Sequence, residues 1–165
     1  MFVLSPFLSY FTNWVLFLVV FHRWTHEYVD LFFLTLIVLA LSTYILYVAN
    51  GHFVYFFNST TVQLDKEDTE TIFVHVVFHV VPFIFVTYLY FDYYMSNFDS
   101  ERYLLTVLLV LAYLTIVDYE FMYGIDGPEV PLAGVAIVLS YLAFSNLVQS
   151  RHFSSCINVR PQRRI

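Results

Sequence analysis

Charged side chains in this sequence are gathered into a few short clusters, and the stretches between them are apolar and long. A hydrocarbon core of about 30 Å takes roughly 20 mostly apolar residues in a helix. Runs of about that size occupy residues 2–21, 31–50, 71–91, 103–117 and 131–149, the fourth short and extended by flanking aromatics. Many of their residues are Val, Ile, Phe or Tyr, which in water would suggest strands. In lipid, length and continuity outrank that propensity, and the apolar/polar alternation of a membrane barrel is absent. The expected fold is therefore all-α: a polytopic transmembrane helical bundle of about five spans, with residues 1–150 as the transmembrane domain and 151–165 as a basic cytosolic tail.

Composition excludes most other classes. Of 165 residues, 60% are hydrophobic and 12% charged, against the roughly 25% charged of an ordinary soluble domain. With 19 Phe and 14 Tyr but four Gly and five Pro, the chain is neither disordered nor of low complexity. It shows no internal repeat and no second domain. The net charge of −6 and the lack of a Lys/Arg-rich stripe make nucleic acid an unlikely partner. Cys156 is the one cysteine, so no internal disulfide forms; seven residues beyond the last run, it is also a palmitoylation candidate.

The first run starts one residue from Met1 without a basic segment before it or a small-residue cleavage site after it, and is expected to be a permanent span rather than a signal peptide. Arg23, Arg102, Arg151, Arg160, Arg163 and Arg164 fall on one side of a five-span chain, and Lys66 alone on the other. The positive-inside rule then puts the N-terminus outside and the C-terminus in the cytosol. The acidic segment 65–70, the loop 119–129 and the glycosylation sequon Asn58-Ser59-Thr60 lie outside in that arrangement. The protein is expected to be integral and multi-pass, in an endomembrane or the plasma membrane.

Polar side chains within such runs call for an explanation. His75 and His79 are four residues apart and share a helix face, and Pro82 three residues on should kink that helix beside them. Thr12 and Asn13 interrupt an otherwise apolar first run, in Tyr10-Phe11-Thr12-Asn13-Trp14. Both runs cross outside to inside, and at 1.5 Å per residue Thr12 and His79 come within about 3 Å of the same depth. A Thr hydroxyl beside a neutral imidazole is the minimum of a nucleophile and general base pair. Asn13, His75 and Pro82 would line the adjoining cavity. Alternatively the histidines are packing glue and Thr12 bonds back to its own helix, or His75 and His79 ligate a metal or haem. His22 and His26 with Glu27 form a weaker zinc candidate. Trp24, Tyr28, Tyr93 and Tyr94 read as an interfacial belt. Asp118, Glu120, Asp126 and Glu129, around a Gly- and Pro-containing turn, read as solvated loop charges.

These motifs resemble the androgen-induced protein and androgen-dependent TFPI-regulating protein family, membrane hydrolases of fatty acid esters of hydroxy fatty acids. Tyr10-Phe11-Thr12-Asn13-Trp14 matches the family's aromatic-rich motif with a nucleophilic Thr, and His79-Val80-Val81-Pro82-Phe83-Ile84 its His followed by Pro and an apolar run. Residues 44–57 would stand for an intervening span ending in aromatics, and 119–131 for a later outer loop. Family members have six spans with the Thr in the second, so this chain would lack the first. Spacing from His to Pro varies, leaving His75 as the other possible counterpart, and the family's acidic residue after that motif has only the more distant Asp92 to match it. The resemblance implies a lipid ester hydrolase with Thr12 as nucleophile and His79 as base. Membrane lipids and a lipid ester would be its partners, and no cofactor is implied. A scaffold or assembly role without catalysis is the competing expectation.

Overall fold

A computed structural model describes residues 10–57, 60–64, 66–97, 99–125 and 127–157. The chain is a helical bundle carrying one small hairpin. In order come α1 (Phe11–Val20), a single turn α2 (His22–Thr25), α3 (Leu31–Thr43) running on as a π-helical turn Tyr44–Val48, strands β1 (Phe53–Phe57) and β2 (Thr60–Leu64), α4 (Thr69–His75), a second π-helical turn Val76–Val80, α5 (Val81–Ser96), α6 (Ser100–Ile116), α7 (Tyr119–Tyr123) and α8 (Glu129–Ile157). Among the described residues, three helical stretches are long and apolar enough to cross a membrane: Leu31–Val48, Thr69–Ser96 and Glu129–Leu147. Helix α6, at 17 residues, and the described part of α1, at 10, are shorter.

Helix α3 forms the middle of the bundle. Asp30 starts it by accepting the Phe33 N–H at 2.9 Å, satisfying one of the donors a helix leaves open at its first turn. Leu31, Phe33, Leu34, Ile37 and Leu46 are wholly buried, because α1, α5 and α8 cover it from different sides. Phe33 stacks on Tyr141 of α8, centroids 3.6 Å apart. The outer helices instead turn bulky apolar side chains outward, among them Phe17, Ile84, Tyr88, Leu104, Leu132 and Leu139. A water-facing surface would seldom carry so many.

Several expectations need correction. Of the first expected span, the helix α1 begins at Phe11 after an extended Tyr10 (φ −100°, ψ 122°), and residues 2–9 lie outside the described residues. Residues 44–57 are not one span. The helix ends after Val48, Asn50 takes a left-handed φ of 51°, and the chain turns into the β1/β2 hairpin, where Phe53 lies opposite Leu64 and Phe57 opposite Thr60. Asn50-Gly51 is the stop signal, and the aromatic and β-branched residues after it suit strands. Residues 151–157, expected in the tail, continue α8 beyond Glu129–Leu147, the part of that helix long and apolar enough to cross a membrane. No Gly or Pro stands between Gln149 and Pro161 to end the helix. The sequon residues Asn58 and Ser59, together with Asp126, Arg160, Arg163 and Arg164, lie outside the described residues.

Candidate active site

Thr12 sits in the first turn of α1, held there by aromatic contacts. The Phe11 ring stacks on Tyr113 at 4.7 Å, Tyr10 meets Tyr123 edge-on at 6.0 Å, and the buried Tyr113 and Tyr123 hydroxyls are hydrogen-bonded at 2.6 Å. Gly51 lets that end of the bundle close, because a Cβ there would stand 2.8 Å from the Tyr123 carbonyl oxygen. Burial among neighbouring phenols pushes the Tyr123 hydroxyl far above its ordinary pKa, so it stays protonated.

His79 comes from the π turn Val76–Val80, and Pro82 determines how. Proline has no N–H to offer the carbonyl four residues back, so the helix must rearrange before it. The adjustment here is a π turn in which the Val81 N–H donates to the Val76 carbonyl, five residues back. One residue more in a turn rotates the preceding segment by about 100° relative to the following one. His79 is thereby only 5% exposed, whereas Val77 and Phe78 face outward.

The two side chains meet. Thr12 Oγ1 lies 3.0 Å from His79 Nε2, within the range for proton transfer. On the other edge of the ring, His79 Nδ1 lies 3.2 Å from His75 Nδ1. In the tautomer with the ring proton of neutral His79 on Nδ1, Nε2 is left bare. The Thr12 hydroxyl donates to Nε2 in that tautomer, the arrangement a general base requires. Half-buried His75 also meets the edge of Tyr47 at 6.4 Å. Pro82 is buried on the following turn, and half-buried Asn13 adjoins Thr12.

The other expected sites are built differently. His22 Nδ1 is 2.5 Å from the Tyr90 hydroxyl, and His26 Nδ1 is 2.9 Å from the His22 carbonyl. Among the described residues no group of three or more His, Cys, Asp and Glu is placed to hold a metal ion. Trp24 and Tyr28 are exposed as a belt would be, but Tyr94 is buried: its hydroxyl accepts the Leu31 N–H and donates to the Val29 carbonyl. Asp118, Glu120 and Glu129 are exposed.

Sequence reasoning missed a second polar cluster. Asp30, 4% exposed, accepts from Tyr141 Oη at 2.5 Å, while its own N–H donates to Thr106 Oγ1 at 2.8 Å. Arg102, read as a cytosolic anchor, is only 3% exposed; it donates to the Asn97 carbonyl and lies over the Tyr93 and Tyr94 rings at 5.2 and 4.9 Å. Burial pushes the Asp30 carboxyl up, and the Tyr141 hydrogen bond partly offsets this. An Asp immediately before an apolar run is a helix N-cap signal that would have singled it out. No protein-family model, curated protein or solved structure matches this chain, so its likeness to the hydroxy-fatty-acid ester hydrolases rests on its Thr12 and His79 motifs alone.

Proposed function

We propose that this chain is an intramembrane lipid ester hydrolase, with five spans, an outer N-terminus and a cytosolic C-terminus, acting on fatty acid esters of hydroxy fatty acids or similar lipids. The 3.0 Å contact between Thr12 Oγ1 and His79 Nε2 carries the reading. Thr12 Oγ attacks the ester carbonyl carbon as its proton passes to His79 Nε2, and the carbonyl π pair moves to oxygen. Asn13 or a backbone N–H of the first turn of α1 stabilises that oxyanion. Collapse of the adduct breaks the bond to the alkoxy oxygen, which leaves as the hydroxy fatty acid after taking the proton from His79. Water then adds to the acyl-Thr12 ester with His79 again accepting a proton. Thr12 Oγ is expelled, recovers that proton, and the fatty acid departs.

The apolar outer faces of the helices let a two-chain substrate approach sideways from lipid. A fluorophosphonate probe should label the purified wild-type protein, which should also cleave a palmitate ester of a hydroxystearic acid. Thr12→Ala should abolish both. Equal labelling and cleavage by Thr12→Ala would overturn the assignment and leave the Thr12–His79 hydrogen bond as helix packing.

A further inference from the structure

We infer that His75 is the positioning residue of a Thr12–His79–His75 relay, its Nδ1 accepting the Nδ1–H of His79 and so aiming the bare Nε2 at Thr12. The inference rests on the hydrolase reading but goes beyond its two-residue site. Two observations carry it. His75 Nδ1 and His79 Nδ1 are 3.2 Å apart with ring centroids at 5.0 Å, close enough to share one hydrogen. Two nitrogens facing each other need one proton between them, and for His79 to take the Thr12 proton at Nε2, as the hydrolase reading has it, that proton must start on His79. His75 must then carry its own hydrogen on Nε2.

The alternative tautomer shows why the His75 side chain matters. With a proton on His75 Nδ1, His79 Nδ1 would become the acceptor and its proton would move to Nε2. Thr12 would then face a donor, and its hydroxyl could not be deprotonated by His79. When His79 takes the Thr12 proton it becomes an imidazolium, and the hydrogen bond from its Nδ1 to a neutral acceptor strengthens as that charge develops. The His75 imidazole contact also holds the plane of the His79 ring. No proton need leave His75 in the cycle: the one from Thr12 goes to His79 Nε2 and returns to the departing oxygen.

Three replacements of His75 in the full-length protein separate this role from simple packing. His75→Asn places Oδ1 where Nδ1 stood and keeps an acceptor. His75→Gln carries its amide one carbon further and does not, and His75→Leu has none. With the palmitate ester of a hydroxystearic acid, kcat should fall about 100-fold for Leu and Gln with KM unchanged. That is less than the ~10⁴ lost when the charged member of a Ser-His-Asp triad is neutralised, since an imidazole acceptor carries no charge. His75→Asn should recover to within about threefold of wild type. Should Leu fail to fold, the Asn and Gln pair still decides. If Thr12→Val and His79→Ala abolish cleavage while Gln matches wild type, or Asn is as poor as Gln, the relay is overturned and the hydrolase stands. If Thr12→Val cleaves normally, the hydrolase reading itself fails.

Discussion

Thr12 and His79 are 67 positions apart in the chain, yet the environment each needs is the same: a polar atom in an apolar run is tolerable only if another meets it. That requirement made the pair legible in sequence. Thr12→Ser keeps a hydroxyl on the same Cβ and should retain hydrolysis within about tenfold, whereas Thr12→Val keeps the shape without the nucleophile and should show none. His79→Ala should cost as much as Thr12→Val, and the double variant little more, because members of one reacting unit are not additive. Steady-state cleavage rates of the four proteins check this; additive losses would separate the two residues. Asp30 and Arg102 were less legible, since a charge beside a span reads as a loop charge and its burial depends on which helices converge there. The consequence is a pH effect. Burial holds the native Asp30 carboxyl protonated to higher pH than in the unfolded chain. Its contribution to stability is therefore full below the unfolded value and lost as pH rises through the native one. Thermal unfolding in detergent should show that loss in the wild type and a flatter profile in Asp30→Asn. Asp30→Ala should lower stability at every pH, by about 1 kcal/mol for the cap and about 1 kcal/mol for the lost Tyr141 hydrogen bond.

Helices in this bundle carry their departures from ideal geometry next to the site. The π turn Val76–Val80 holds His79, and the other, Tyr44–Val48, includes Tyr47, which meets His75. Pro82 announced a kink in the sequence, but not which kind, because a missing N–H can be accommodated by bending, by water or by a change of helical register. Replacing it supplies the missing donor. Pro82→Ala lets the α register close through residue 82, and the segment carrying His79 then turns by up to about 100° away from α1. The variant should unfold at an equal or higher temperature than wild type while turnover drops at least tenfold. Unchanged turnover would mean that the π turn does not aim His79. The hairpin was hidden for a related reason: aromatic and β-branched residues after Asn50-Gly51 serve a membrane helix and a strand equally well, so their apolar character concealed the turn before them.

Across the whole molecule, polar features separate into two ends. At one, Lys66 donates to Asn50 Oδ1 at 2.7 Å, the His52 N–H donates to the Tyr123 carbonyl at 3.0 Å, and Glu67, Asp68 and Glu70 are exposed. At the other, the His22–Tyr90 contact, the Asp30 cluster and Arg102 tie the 21–30 turn to the end of α5 and the start of α6. The stretch Thr69–Ser96 joins the two ends, and its 28 residues span about 42 Å at 1.5 Å each, more than a hydrocarbon core. The proposed crossing puts segment 66–70 and Arg102 on opposite sides of a bilayer. In the proposed topology basic residues set the direction, and exposed Arg23 contributes more to it than Arg102, which is folded inward. With Cys156 replaced, cysteines introduced at Glu67 and Gln162 should react with a membrane-impermeant thiol reagent from opposite faces, Glu67→Cys from outside intact cells and Gln162→Cys only after permeabilisation. Labelling of both from one face would mean an even number of crossings between them. That outcome would take α6 out of the membrane, since α8 is long enough to cross while α6, at 17 residues, is the shortest of the last three helices proposed to cross.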